Sequence, residues 1–151
     1  MPTSAEKIEK KAKGPALSYE DFLRSLQLNV ISLKEASCRI DRIAYWKHKG
    51  RQLSYKMTAE VGEIDDGFFD VQAKLDVTMS SSKPEEQIIR ISATFDLHFH
   101  AEAIPKSLVD KFCKSEVRLI VWPYFREYVS DVSSRMYIPP VILPLSNEPE
   151  A

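Results

Sequence analysis

The sequence predicts an α+β domain, a four-stranded antiparallel sheet with a long Pro-interrupted helix packed on one face. Three stretches alternate apolar and polar residues with a period of two, as strands with one buried and one wet face must. A later stretch repeats its apolar residues at three- and four-residue steps, the period of a helix. No internal repeat or second domain interrupts this order.

Ser18 and Asp21 form an S-x-x-D helix start ahead of Phe22, Leu23 and Leu26, so a short helix is expected to about Ser25. Leu26, Leu28 and Val30 then alternate before the apolar parity shifts to Ile31 and Leu33, which predicts a bulged, bent first strand. The three regular strands are Leu53 to Val61, Phe69 to Met79 and Ile89 to Phe99. Asp65-Asp66-Gly67 is a tight turn between the first two of these, and Ser80 to Glu86, with Pro84, links the next pair, so both pairings are antiparallel and adjacent. The connection from Cys38 to Arg51 is longer and carries Ile43, Tyr45 and Trp46, which reads as a loop crossing over the sheet.

Ser107 with Asp110 is expected to open the main helix after Pro105, with Leu108, Phe112, Val117, Ile120 and Val121 on its apolar side. Tyr124, Phe125, Tyr128, Val129, Val132 and Met136 continue that side, while Arg126, Glu127, Ser130, Asp131, Ser133 and Ser134 fill the opposite one. Pro123 cannot donate an amide hydrogen bond, so the helix should kink or restart there. Pro139 and Pro140 should stop it, and Ile138 to Leu145 reads as an apolar, proline-broken strand. The expected organisation is a disordered tail over 1–16, one domain over 17–146 and a short acidic tail over 147–151.

Composition narrows the functional classes. A net charge of −1 gives no sign of a polyanion partner, and the only basic cluster, Lys7 to Lys13, reads as part of a solvated tail, so neither nucleic-acid binding nor membrane insertion is expected. No apolar run approaches the roughly 20 residues of a membrane helix, and no apolar core follows the basic cluster as in a signal peptide, so a cytoplasmic location is expected. Cys38 and Cys113 stand far apart without a CxxC and read as reduced packing residues.

His98 and His100, with Asp96, project from one strand face at a spacing that a metal could use. A tetrahedral site needs further ligands, and His48 stands in the crossover without a motif, so no metal or other cofactor is expected. Four glycines form no phosphate loop, and there is no G-x-S-x-G. Arg126 and Glu127 point about 100° apart on a helix and read as surface charge. The chain is not expected to be an enzyme. An alternative is a small-molecule-binding or enzymatic pocket domain with Asp96, His98 and His100 as its polar groups; another is a dimerising structural subunit. The aromatic surplus is more informative. Trp122, Tyr124, Phe125, Tyr128, Tyr137 and Ile138 lie close together, with Tyr45 and Trp46 in the crossover, more than one helix on one sheet must hide.

The string Trp122-Pro123-Tyr124-Phe125-Arg126-Glu127, then Ser134-Arg135, then Ile138 to Leu145, resembles the late helix and proline-containing strand of the SecB family of export chaperones, and strand order extends the likeness over Leu17 to Ser146. The resemblance implies a dimer or dimer of dimers that holds unfolded chains in apolar grooves without ATP, with Tyr45, Trp46, Trp122, Tyr124, Phe125, Tyr128 and Ile138 as client contacts or groove walls. Its clients would be preproteins or an antitoxin. Two departures accompany it. Val30 and Lys34 stand where export members carry the acids that dock the motor SecA, which makes SecA a doubtful partner, and the chain stops where those members continue into a second helix. These departures resemble the SecB-like chaperones of toxin-antitoxin systems or of mobile elements.

Overall fold

The computed structural model describes residues 16–82 and 85–145. The expected N-terminal tail up to residue 15 with its lysine cluster, Pro84, and the acidic C-terminal tail lie outside the described residues. Among the described residues eight elements follow one another: α1 (Tyr19–Ser25), β1 (Gln27–Ile40), α2 (Arg42–Lys47), β2 (Arg51–Asp65), β3 (Phe68–Ser81), β4 (Gln87–His100), α3 (Lys106–Lys114) and α4 (Glu116–Arg135). The sheet is antiparallel throughout with order β1-β4-β3-β2. The α+β architecture read from periodicity is the one observed.

Strand pairing fixes which side chains share a face. Odd-numbered residues from Ile89 to Phe99 on β4 and from Phe69 to Met79 on β3 pair directly and turn toward the helices, where most are buried. At the end of the sheet near α1, Phe22, Phe69, Phe99 and Phe112 form the aromatic heart of the core, with Phe112 edge-on to the other three rings. Ser18 caps α1 as the S-x-x-D pattern predicts, its Oγ accepting the Asp21 amide at 3.1 Å.

Several expectations need correction. The first bulge falls between Leu28 and Val30, so Val30 turns to the outer face, and a second bulge between Leu33 and Glu35 has no parity signal because Lys34 and Glu35 are both charged. The crossover is not a loop. Asp41 accepts the Ala44 amide at 3.0 Å and starts the short helix α2. The main helix begins at Lys106 behind Pro105, with Ser107 inside it rather than capping it. Its break falls at Ser115, whose backbone at φ −121°, ψ −79° separates α3 from α4. Pro123 stays inside α4, where the carbonyl four residues back belongs to the exposed Leu119 and can turn to water. Ser133 belongs to the buried face, not the polar one.

The segment after α4 forms no strand. Tyr137 turns the chain with φ 57°, and Pro139, Pro140 and Pro144 deny the rest the donors a sheet ladder needs. Residues 138–145 instead lie as a strap on α4. Val141 N–H donates to Ser133 Oγ at 2.8 Å, Arg126 Nε to the Leu143 carbonyl at 3.2 Å, and Trp122 Nε1 to the Pro144 carbonyl at 2.8 Å. Successive strap residues therefore dock on successively earlier helix residues, and Val141 and Leu143 fill the core.

Candidate functional site

The helical layer covers the sheet unevenly. α4 lies over β3 and β4, and both outer strands are left largely exposed. Along β1 every residue is exposed except the half-buried Ile31 and Ile40. Pairing with Phe99, Leu97 and Phe95 turns Leu28, Ile31 and Leu33 toward the helix side, so an apolar row stands there that no helix among the described residues covers. Leu33 keeps 47% of its surface in solvent.

Between this row and α4 runs a cleft of about 570 Å³. Its apolar walls are Leu33, Phe95, Tyr124 and Tyr128, and Glu127, Ser130, Asp131 and Ser134 line the solvent side. Tyr124 and Tyr128 are one helical turn apart, and the ring of Phe95 lies 6.2 Å from that of Tyr124 and 5.2 Å, edge-on, from that of Phe125. Burial, with Cys38 and Asp131 nearby, pushes the Tyr128 hydroxyl above its ordinary range, so it stays a hydrogen-bond donor at neutral pH. Such a cleft offers area, aromatic faces and a few polar groups. Its Ser134 hydroxyl donates to the Ser130 carbonyl, and its Asp131 carboxylate pairs with Arg135.

A second apolar surface lies at the end of the sheet that carries α2. Trp46 is 63% exposed, and Ile43 beside it more so, while Tyr45 is buried with the Arg51 guanidinium 4.0 Å over its ring. Arg42 Nη1 donates to the Met136 carbonyl at 2.8 Å, tying α2 to the end of α4. The exposed Tyr137 follows immediately, and Ile142 and Leu145 stand out from the strap.

The seven residues singled out from the sequence divide accordingly. Trp46, Tyr124 and Tyr128 reach solvent to different degrees, whereas Tyr45, Trp122, Phe125 and Ile138 are buried within the chain itself. Trp122 turns to the β2 side of α4, with its ring 5.4 Å from Tyr55, so it does not share the cleft of Tyr124 and Tyr128. Leu33 and Phe95 were missed. Their strands looked like ordinary core, and only the bulge that shifts β1 could have marked its inner row as the uncovered one.

Asp96, His98 and His100 lie on the outer face, away from the helices, so they cannot furnish a pocket between sheet and helix. His98 Nδ1 is hydrogen-bonded to Asp70, and Phe68 packs against both imidazoles. Among the described residues no group of three or more His, Cys, Asp or Glu is placed to hold a metal, and no helix is long and apolar enough to cross a membrane.

Known proteins agree with this geometry. The family model described as preprotein translocase subunit SecB matches residues 24–147. The protein-export protein SecB of Chromobacterium violaceum is 30% identical over 136 residues, covering 89% of this chain and 84% of that protein. That of Aromatoleum aromaticum is 30% identical over 93 residues, 61% of this chain and 57% of the relative. Among solved structures, the Mycobacterium tuberculosis SecB-like chaperone in complex with a ChAD peptide from the HigA1 antitoxin superposes with a TM-score of 0.72 at 17% identity, covering 85% of this chain and 95% of that one. That likeness is one of fold. With the family model spanning most of the domain and an export SecB aligned along most of its length, the chain belongs to the SecB family.

Proposed function

We propose that this SecB-family chaperone is an ATP-independent holdase that keeps extended, unfolded polypeptides from aggregating. The observation that carries the reading is the uncovered cleft between β1 and α4, with an apolar row on the strand facing Tyr124 and Tyr128 on the helix. Burial of apolar side chains is non-directional and tolerates many sequences, and the neighbouring hydroxyls and carboxylates can take the backbone of an extended client. Trp46, Tyr124 and Tyr128 make the contacts. Tyr45, Trp122, Phe125 and Ile138 hold the walls from behind. Holding needs no catalytic group, which fits a non-enzymatic role.

The long exposed edge of β1 supports self-association into a dimer or dimer of dimers, since an unpaired strand with apolar side chains invites a partner strand. Several clefts on one assembly then add avidity. The likeness to export SecB proteins supports preproteins as clients and a cytoplasmic place of action, while the antitoxin peptide on the mycobacterial chaperone supports an antitoxin client. Val30 turns to the outer face and Lys34 occupies a bulge, so SecA docking through this strand is not part of the proposal.

The test is light scattering of a denatured, slow-folding protein diluted with and without the chaperone, its mass fixed by size exclusion with multi-angle scattering. Suppression at near-stoichiometric ratio without nucleotide is the expected result. If Trp46→Ala and Tyr128→Ala both leave client affinity unchanged in an intact assembly, these contacts are misassigned.

A further inference from the structure

The outer face of the sheet is polar but unevenly charged. Pairing places Arg39 of β1 directly opposite Arg90 of β4, with both side chains outward. Lys74 and Asp76 of β3 face the same way, and Lys56 of β2 pairs with Asp76. Like charges directly opposite one another on a sheet destabilise it. Little here relieves the pair. Lys74 and Arg90 share the single carboxylate of Asp76, each at 3.9 Å, and that carboxylate also accepts the Ser92 hydroxyl. The Arg39 side chain has no ion pair or hydrogen bond among the described residues.

A concavity of about 420 Å³ lies among these groups. Arg39, Lys74 and Arg90 line it with the hydroxyl residues Ser92 and Thr94, and Glu35 is its one lining carboxylate. We infer that this end of the outer face docks an acidic, extended polypeptide segment of a partner protein. Carboxylates entering the concavity would separate Arg39 from Arg90 and give both guanidiniums forked acceptors, with the hydroxyls donating to the remaining oxygens. The site fits a few carboxylates better than a nucleic-acid backbone. Its excess positive charge is small, and the whole chain carries a net charge of −1, which opposes a long polyanion. The inference does not rest on the holdase reading, since the sheet lies between this face and the client cleft.

Anisotropy of a fluorescein-labelled peptide of alternating Glu and Ser, titrated with the full chain, tests it. We expect binding at low salt that Arg39→Ser with Arg90→Ser weakens by about tenfold or more, as does raising the salt past about 0.3 M. The double variant should suppress aggregation like the parent. Arg39→Ser alone should melt at or a few degrees above the parent, since it removes the like-charge pair (about 1–4 °C). Lys74→Gln with Arg90→Gln gives a second route should the first variant fold poorly. Unchanged peptide binding in a folded variant overturns the inference. So does a labelled single-stranded oligonucleotide of equal charge that binds more tightly and is lost with the same substitutions, because the site would then be one for nucleic acid.

Discussion

The two flanks of α4 are built from similar residues and end in opposite states. On the β2 side, Trp122 packs against Tyr55 with the rings tilted, and the strap closes over the helix through three side-chain to backbone hydrogen bonds while burying Val141 and Leu143. On the β1 side, Tyr124 is 45% exposed and faces an apolar strand row that nothing among the described residues covers. Helical periodicity makes both flanks apolar, and the strap chooses which one becomes core. A family that must keep apolar surface available without falling apart gains from this division, because the closed flank supplies stability and the open one can stay unsatisfied.

The largest expected effect breaks the closed flank. Trp122→Ala removes a buried aromatic ring and the donor that holds the Pro144 carbonyl, and should cost about 3–5 kcal/mol in chemical denaturation. Tyr124→Ala, two residues along on the open flank, should cost below about 1 kcal/mol while weakening client binding. Equal destabilisation by the two would abolish the distinction between flanks. A finer cut comes from adjacent serines. Ser133→Ala leaves the buried Val141 N–H without its acceptor and should cost about 1–3 kcal/mol, with faster hydrogen exchange at Val141, whereas exposed Ser134→Ala should stay within about 0.5 kcal/mol.

Smaller still is the pH response where α1 docks. Tyr19 donates to Glu116, which also accepts from Ser115, and Lys111 sits 4.2 Å over the Tyr19 ring. Burial alone would raise Glu116, but the hydrogen bonds from Ser115 and Tyr19, with Lys111 near, hold it below the usual carboxylate range. A carboxyl lowered on folding stabilises the native state above its unfolded value and loses that contribution as the pH falls through the lowered one. Cleavage within α1 by an acid-active protease should therefore accelerate as the pH falls from the ordinary glutamate range through the lowered value, before the sheet unfolds, and Glu116→Gln should flatten that dependence.

Much of this was legible in the sequence, and the failures have physical causes. Strict alternation located β2, β3 and β4 because each carries one continuously buried or inward face. The parity shift signalled a first bulge in β1 but put it after Val30 rather than between Leu28 and Val30, while charged Lys34 and Glu35 hid the second. Pro123 drew attention away from Ser115, since a proline facing solvent costs a helix little and a serine that bonds back to the Lys111 carbonyl can end one. The candidate site was legible as an aromatic surplus but not as a surface. Whether Trp122 or Tyr124 becomes core depends on where eight residues of irregular chain lie, and the sequence reads those residues as a proline-broken strand, whereas the three prolines prevent a strand altogether.

The two cysteines report the flanks separately, with almost no change in stability. Cys38 pairs with Ile91 on the inner row of β1, is exposed, and lies near Tyr128 in the open region. Cys113 is buried on α3 against the β2 side, and burial, with Asp110 near, pushes its thiol up to about 11. Only the thiolate attacks a disulfide reagent, so at pH 8 about one part in a thousand of Cys113 is reactive even when reached. One fast thiol, absent in Cys38→Ser, and a second that appears only with denaturant are the expected result. Addition of an unfolded client should slow Cys38 and leave Cys113 unchanged. Were the client to slow neither thiol while still being held in solution, the occupied surface would lie at Trp46 and the strap rather than along β1, and the open flank would be free for a second copy of the chain.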